Sequence, residues 1–314
     1  MARGNNGFNK EDVATLQEFW TEFVDDFKEE ISPEPVKTGM VTRFTKDVDE
    51  LPTVTVSGQA QSFQVGFHGT AALSVKTRAL KRTPVKLDLL LKSVDLSYES
   101  YLGYLKRKSN KASRSIEWEE WAINKIAKTL KTSYVIVMWR GRKLETLENA
   151  PNGAADTADG FTKVIREEVM KGAIPVIMHE PLDETNAYKV INNLFKAVAD
   201  TPEKRQEAFV GYCGLDLLDL YQASYVALRG GTTHAKEHVG LDRIEGMPNS
   251  YLAPVNGIDG HGIFITLEGN LFCAENEEPE LNLLYMFYAL YVSWFYGWGF
   301  QIATTLHSAV NQHF

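Results

Sequence analysis

Apolar residues recur at intervals of three and four positions in several segments of the chain, a spacing typical of amphipathic helices. Helices are predicted at residues 10–31, 161–170, 187–199 and 215–228. A further long segment covers residues 116–137, which correspond to about six helical turns. Its apolar stripe consists of Trp118, Trp121, Ala122, Ile126, Leu130, Tyr134 and Val137. A helix of this length is long for a globular protein.

Alternating and β-branched patterns predict strands between these helices. The alternation of apolar and polar residues over 41–75, as in Thr53-Val-Thr-Val56, indicates an extended two-stranded arm. Shorter strands are predicted at residues 174–178, 251–255 and 262–266. The sequence contains no internal repeat, which argues against solenoids and propellers.

Residues 281–306 contain no charged side chain and are numerous enough to span a bilayer. However, the four tyrosines of this run lie in its middle instead of at its ends, and neither Lys nor Arg flanks it. Aromatic enrichment favours β-structure. We therefore expect one or two long buried strands, broken near Gly297-Trp-Gly299, and no membrane partner.

Composition narrows the classes of protein that the chain can belong to. Of its 314 residues, 44% are hydrophobic and 24% are charged, which excludes disorder over most of the length. The formal net charge of −8 argues against a protein that mainly coats nucleic acid. Two cysteines without metal-ligand spacing, Cys213 and Cys273, favour a reducing cytoplasmic origin. The first residues contain no apolar run of the signal-peptide type.

Basic residues are concentrated in residues 76–114, where eleven basic side chains accompany three acidic ones. The remainder of the chain is correspondingly acidic. Segments of opposite net charge can be solvated surfaces, or they can attract copies of the same chain to each other. Arg107, Lys108 and Lys111 belong to this block and are candidate interface residues.

His234-Ala-Lys-Glu-His238 matches the H-x-x-E-H pattern of inverzincins, in which two histidines bind zinc and the glutamate activates water. The context differs from that of a zinc-binding helix, because Gly230, Gly231 and Gly240 bracket the motif and no third ligand follows. A polar surface loop explains the motif more simply. A metalloprotease remains an alternative hypothesis, and no metal site is predicted.

The other candidate motifs do not indicate catalysis. The glycine-rich segment 256–262 lacks the Gly-Lys-Ser/Thr sequence of a phosphate-binding loop, so we interpret it as a turn between two strands. Cys213 precedes Gly214 and resembles a small residue at a tight helix start more than a reactive thiol. We predict no catalytic residue and no cofactor.

The order of elements resembles that of tailed-phage major capsid proteins of the Hong Kong 97 type. The segments that carry this resemblance are an amino-terminal arm (residues 10–49), an extended arm with a basic stretch (53–114), a long helix ending in Val135-Ile-Val-Met-Trp-Arg-Gly141, the helix start Asp159-Gly-Phe161, the strand-turn pattern Ile263-Phe-Ile-Thr-Leu-Glu-Gly-Asn-Leu271 and the final strands (285–305). The resemblance implies an α+β fold with a peripheral domain, an axial domain, a long spine helix and an extended β-arm loop.

The same resemblance implies a division of the chain into five parts. Residues 1–52 correspond to the amino-terminal arm and 53–115 to the β-arm loop with a basic peripheral segment. Residues 116–158 correspond to the spine helix and peripheral domain, and 159–262 to the axial domain. Residues 263–314 correspond to strands that return to the peripheral domain.

A member of this family forms an icosahedral shell from hexamers and pentamers of itself, encloses double-stranded DNA and meets scaffolding, portal and decoration proteins. The resemblance therefore implies a virion protein made in the host bacterial cytoplasm, without enzymatic activity. An encapsulin-like nanocompartment of the same fold is the alternative. The expected interface or packing residues are Phe63, Phe67, Arg107, Lys108, Lys111, Trp118 and Trp121.

Overall fold

A computed structural model describes residues 38, 40–44, 83–92, 118–143, 155, 158–228, 243–275, 280–286, 289–303, 305 and 307–314. Four α-helices lie within these residues, and a short 3₁₀ helix covers Lys204–Gln206. The α-helices are α1 (Trp118–Arg140), α2 (Phe161–Met170), α3 (Ala187–Val198) and α4 (Leu215–Leu228).

Eleven strands form two sheets in the described part of the chain. The strands are β1 (Val41–Phe44), β2 (Thr83–Lys92), β3 (Val176–Ile177), β4 (Phe209–Cys213), β5 (Arg243–Ile244), β6 (Met247–Pro254), β7 (Ile263–Leu267), β8 (Leu271–Glu275), β9 (Glu280–Met286), β10 (Ala289–Ile302) and β11 (Ala309–Asn311).

The first sheet is built around the long strand β10. Its order is β1-β8-β10-β2, and β9 also pairs with β10. The first part of β10 is antiparallel to β2 and β9, and the last part is antiparallel to β8. The uncharged run therefore forms two long strands, as predicted. The predicted break near Gly297 and Gly299 is wrong, because these glycines pair with Pro84 and Ala274 inside β10.

The second sheet has the order β3-β11-β7-β4-β6-β5. Its central strand β4 is parallel to β6 and antiparallel to β7. The glycine-rich segment 256–262 lies between β6 and β7, as predicted, but these strands are not neighbours. The connection passes the end of β4, where the Val255 amide donates to the Cys213 carbonyl at 2.7 Å.

Helices cover both faces of the second sheet. Val210 and Tyr212 of β4 point into a core that also contains α1, α2 and residues of the first sheet. Phe209 and Cys213, at the alternate positions of the same strand, point into a second core with α3 and α4. All five residues of β4 are buried, which explains why the strand shows no alternation of apolar and polar residues.

The four helices above are confirmed within three residues of their predicted bounds, and the largest difference is at the end of α1, which was predicted at residue 137 and lies at Arg140. Strands β2, β4 and β5 were not predicted, and no separate strands were predicted at β8 and β11. The predicted helix at 10–31 and the remainder of the predicted arm at 45–75 lie outside the described residues. No described helix combines the length and the apolar character that a membrane crossing requires.

The domain boundaries remain a prediction. Residues 263–267 and 309–311, which the resemblance assigns to strands returning to the peripheral domain, pair in the second sheet with strands from residues 159–262. Residues 271–275 pair in the first sheet. The chain therefore crosses between the two sheets immediately after β7.

Candidate assembly surfaces

A buried aromatic cluster joins the two sheets to the end of α1. The Trp139 ring lies 5.3 Å from both the Phe161 and the Tyr212 rings, measured between centroids. Phe161 in turn lies 5.2 Å from Phe300 of β10. Because α1, both sheets and the start of α2 contribute to one cluster, the surfaces around it are held in fixed relative positions.

The exit of α1, the start of α2 and the carboxyl terminus enclose a charged groove of about 490 Å³. Arg140 donates to the Asp259 carboxylate at 2.6 Å across this groove. Arg166 donates through Nε and a terminal nitrogen to the carbonyl oxygen of Phe314, at 3.2 and 3.1 Å. The groove is lined by Arg140, Gly141, Arg142, Thr162, Lys163, Arg166, Glu167, Met170, Gly257, Ile258, Asp259, His313 and Phe314.

Lys163 is held in the same groove by two carboxylates. Its Nζ lies 2.8 Å from Asp159 and 3.7 Å from Glu167. The hydrogen bond to Asp159 is the main cause that raises the pKa of Lys163, and burial opposes it. Most of the groove's charges therefore have partners within the chain, so the groove stabilises the junction of α1, α2 and the carboxyl-terminal residues.

Three histidines from separate segments meet beside this groove. The His313 ring lies 5.4 Å from the His179 ring and 6.2 Å from the His261 ring, measured between centroids. Burial, and then the charges of His179 and His261, lower the pKa of His313. The Asn311 side chain fixes the segments by donating to the His261 carbonyl at 2.7 Å and lying 3.1 Å from His179 Nε2. Within the described residues, no group of three His, Cys, Asp or Glu side chains is placed to hold a metal.

Exposed apolar side chains mark one edge of the second sheet. Strand β3 is the terminal strand of that sheet, and Val176 is 45% exposed there. Met178 beyond β3 is 74% exposed, and Met170 at the end of α2 is 79% exposed. Exposed apolar side chains beside a sheet edge are typical of a surface that contacts another protein.

Of the predicted interface residues, only Trp118 and Trp121 lie in the described part of the chain. Trp118 is the first residue of α1. Trp121 is buried in the first core, with Lys125 Nζ 5.4 Å from its ring centroid. Phe63, Phe67, Arg107, Lys108 and Lys111 lie outside the described residues, as does the His234 to His238 motif. Their interface roles remain predictions.

The two cysteines lie in the interior. Cys213 ends β4, and burial raises the pKa of its thiol to about 12. Burial also raises the pKa of Cys273, whose Sγ lies 3.0 Å from the Tyr134 hydroxyl. A thiol with a raised pKa carries little thiolate at neutral pH, so both cysteines are packing residues and poor nucleophiles.

Sequence reasoning missed the charged groove and the histidine cluster. Arg140 and Asp259 are far apart in the chain, and the three histidines come from three segments with no common spacing. The available sequence signal was that Arg140-Gly141 marks the end of one helix and Asp159-Gly160 marks the start of the next.

Comparison with known proteins identifies the fold through structure alone. No family model matches the sequence, and no curated protein matches it. A chain of the satellite phage P4 procapsid, which includes the size determination (Sid) protein, is similar at a TM-score of 0.58 and 11% identity. The similarity covers 93% of this chain and 99% of that one.

Two further shells have the same architecture. The virus-like particle from Pyrococcus furiosus is similar at a TM-score of 0.51 and 12% identity, covering 96% of this chain and 100% of that one. The capsid of an empty GTA particle is similar at a TM-score of 0.50 and 11% identity, covering 87% of each chain. The predicted α+β fold of the Hong Kong 97 type is therefore confirmed, with α1 as its long helix.

Proposed function

We propose that this chain is the structural subunit of an icosahedral bacteriophage capsid. In this proposal it assembles with copies of itself into hexamers and pentamers that enclose a double-stranded DNA genome. It would be made in the cytoplasm of a host bacterium and reside in the virion, in contact with scaffolding, portal and decoration proteins.

The observation that carries the proposal is the end-to-end match to a procapsid chain. A fold alone does not define a function, because many folds serve unrelated purposes. Here, however, the similarity covers 99% of the matched chain of the P4 procapsid. The match therefore extends over that chain from end to end and is not confined to one shared domain.

The surfaces of the described residues support self-association. The β3 edge presents Val176 and Met178 to solvent, and α4 presents Leu215 (65% exposed) and Leu228 (56% exposed) at its two ends. A symmetric assembly repeats each such contact in every subunit, so modest apolar patches add up to a stable shell. We assign the chain no catalytic role, in keeping with its buried thiols and internally paired groove.

A nanocompartment shell is the second candidate, favoured by the similarity to the Pyrococcus furiosus virus-like particle. Both candidates require a closed shell, and they differ in what the shell contains. A capsid subunit is expected to enclose nucleic acid, whereas a nanocompartment is expected to enclose a protein cargo. The contents of purified particles therefore discriminate between them.

Negative-stain electron microscopy of the purified chain tests the proposal directly. Uniform hollow shells, or separate hexamers and pentamers, are the expected particles. Nuclease treatment of particles isolated from the native source, before and after their disruption, then reports whether the filled shells protect DNA. A chain that remains monomeric over a range of concentration and salt, alone and with a scaffolding protein, would contradict the shell proposal.

A further inference from the structure

After its first turn, which contains Glu119 and Glu120, the long helix α1 carries charged side chains of one sign, as do the residues that follow it. Residues 121–143 contain six basic residues and no acidic one. Three are on the helix body, and three are at its exit. The six are Lys125, Lys128, Lys131, Arg140, Arg142 and Lys143.

The apolar side of α1 faces the first core, so the basic residues must face outward. Ile126, Leu130 and Val137 are at most 1% exposed. Lys128 is exposed on the opposite side together with Arg142 beyond the helix end. An open groove runs along this outward side and is lined by Asn124, Lys128, Lys131, Thr132, Val135 and Asn256.

Nearby carboxylates neutralise only part of this charge. Asp259 pairs with Arg140 at 2.6 Å, and Asp159 pairs with Lys163 of α2 at 2.8 Å. Within the described residues, Lys128 and Arg142 form no ion pair with a carboxylate. Lys128 and Arg142 therefore give the outward side exposed positive charge in the body of α1 and just beyond its end.

The chemistry of this side favours nucleic acid over another protein. Contacts between proteins depend on an apolar centre and contain few lysines, whereas contacts with nucleic acid are polar and strongly positive. The large exposed apolar side chains of the described residues lie on α2, β3, α4 and the segment after β3, and none lies on α1. The lysine, asparagine and threonine side chains that line the groove along α1 can donate hydrogen bonds to phosphate oxygens.

The dimensions of α1 match those of a duplex. At about 1.5 Å per residue, the helix from Lys125 to Arg140 extends about 22 Å. Double-stranded DNA carries one negative charge per about 1.7 Å of its axis, so a duplex segment of this length contains about 13 phosphates on its two strands together, and those on its near side face the helix.

We propose that the outward side of α1 binds the phosphate backbone of double-stranded DNA and so forms part of the inner surface of the shell. This inference rests on the proposed capsid function. The proposed binding has no sequence preference, because the donors contact phosphates, which are the same in every DNA sequence, and do not contact base edges.

The test uses the full chain as unassembled subunits and a short fluorescein-labelled duplex DNA, with binding followed by fluorescence anisotropy over a salt series. The variant carries Lys128→Glu and Arg142→Glu, and the matched control carries Lys189→Glu and Arg243→Glu, which are exposed on α3 and β5. We expect the variant to bind at least tenfold more weakly than wild type. Its plot of log affinity against log salt should be less steep by about 2, since each phosphate contact contributes about 0.9 to the slope. The control should retain the wild-type slope.

Equal affinities for the variant and the control overturn the inference, as does the absence of DNA binding by the wild type. Microscopy of the same preparations separates this result from the capsid proposal. If the variant alone fails to form shells, the outward side of α1 is a contact between subunits and the DNA inference is wrong. If the wild type forms no shells, the capsid proposal fails, whereas a weakened variant would still establish α1 as a DNA-binding surface.

Discussion

The amide of Gly160 donates a 2.8 Å hydrogen bond to the carbonyl oxygen of Gly141. Gly141 directly follows α1, and Gly160 directly precedes α2. The two helices therefore meet backbone to backbone, although they are separated by the residues between them in the chain. Neither position leaves room for a side chain, because a Cβ on either glycine would collide with main-chain atoms of the other segment or of α1.

We predict that Gly141→Ala destabilises the subunit. The new Cβ would contact the carbonyl oxygens of Ala158 and Val137, which are main-chain atoms and cannot rotate away. Overpacking of this kind costs about 1–3 kcal/mol. Urea unfolding followed by circular dichroism measures the loss.

Gly172→Ala is the matched control for this variant. Gly172 has a φ of 71°, but no atom lies within 4 Å of the position that a Cβ would occupy. Its substitution should cost only the backbone strain of a left-handed residue, about 1 kcal/mol. If both variants lose the same stability, steric contact at Gly141 is not the cause of the effect.

We predict that Trp139→Ala destabilises the protein more than Trp121→Ala. The Trp139 side chain is 1% exposed and contacts Phe161 and Tyr212, so its removal leaves a cavity where α1, α2 and the second sheet meet. Loss of a buried tryptophan typically costs about 3–5 kcal/mol. Trp121 is 9% exposed, at the rim of the same core, and its removal should cost less.

Circular dichroism in a urea series compares the two variants with wild type. Trp139→Phe provides a measurable substitute if the alanine variant is insoluble, and it should still lose more stability than Trp121→Phe. The reverse order would show that the aromatic cluster at the end of α1 does not join the two sheets.

The helices could be predicted from the sequence because their signal is local. Val190, Ile191 and Leu194 share one face of α3 through a period that is complete within a few turns, and the structure buries all three. The start of α2 was equally readable from Asp159-Gly160, whereas the predicted end of α1 at residue 137 was three residues short. Periodicity over adjacent residues carries this information without knowledge of the remaining chain.

Strand pairing could not be predicted in the same way, because it depends on segments far apart in the chain. The sequence predicted a strand break near Gly297. In the structure β10 continues through this residue, which pairs with Pro84 of β2. The strand β4 escaped prediction since it is buried on both faces. The charged groove depends on pairs such as Arg140 and Asp259, whose proximity only the tertiary structure establishes.

We predict that both cysteines resist thiol reagents in the folded protein. Burial raises the pKa of Cys213 to about 12, so almost no thiolate is present at about pH 8. Cys273 is fully buried next to Tyr134. Reaction with Ellman's reagent should be negligible in buffer and should reach two thiols per chain in concentrated guanidinium chloride. Rapid reaction of either thiol in native buffer would contradict the burial described here.

We predict that acidification destabilises the carboxyl-terminal segment through His313. The pKa of His313 is lowered by burial and by His179 and His261, so the unfolded chain binds a proton more readily than the folded one. Stability from this group is therefore present above the ordinary histidine pKa of about 6.5 and is lost as the pH falls through the lowered value. Arg166, which binds the Phe314 carbonyl, adds a nearby positive charge.

Thermal unfolding of wild type and His313→Gln over a pH series measures this effect. The variant should lose less stability than wild type on acidification, because the glutamine cannot acquire a charge. Parallel pH profiles for the two proteins would mean that the histidine cluster does not contribute to the acid response.

Our last prediction concerns the basic block at residues 76–114. Arg107, Lys108 and Lys111 are three of its eleven basic residues, and the net charge of −8 requires acidic surfaces elsewhere on each copy. A single exposed ion pair contributes only about 0–1 kcal/mol, but a symmetric shell repeats the contact in every subunit. Reversing all three charges to glutamate should leave the subunit folded and impair assembly.

Salt provides an independent measurement of the same contact. The screening length is about 10 Å at 0.1 M salt and about 3 Å at 1 M, so attraction between exposed blocks should weaken as salt is added. Assembly of wild type, followed by light scattering, should therefore slow in high salt, whereas the Lys128→Glu and Arg142→Glu variant should assemble at the wild-type rate in low salt. If Arg107→Glu, Lys108→Glu and Lys111→Glu together leave the assembly rate unchanged, the block is a solvated surface, and the attraction between copies must come from the apolar β3 edge.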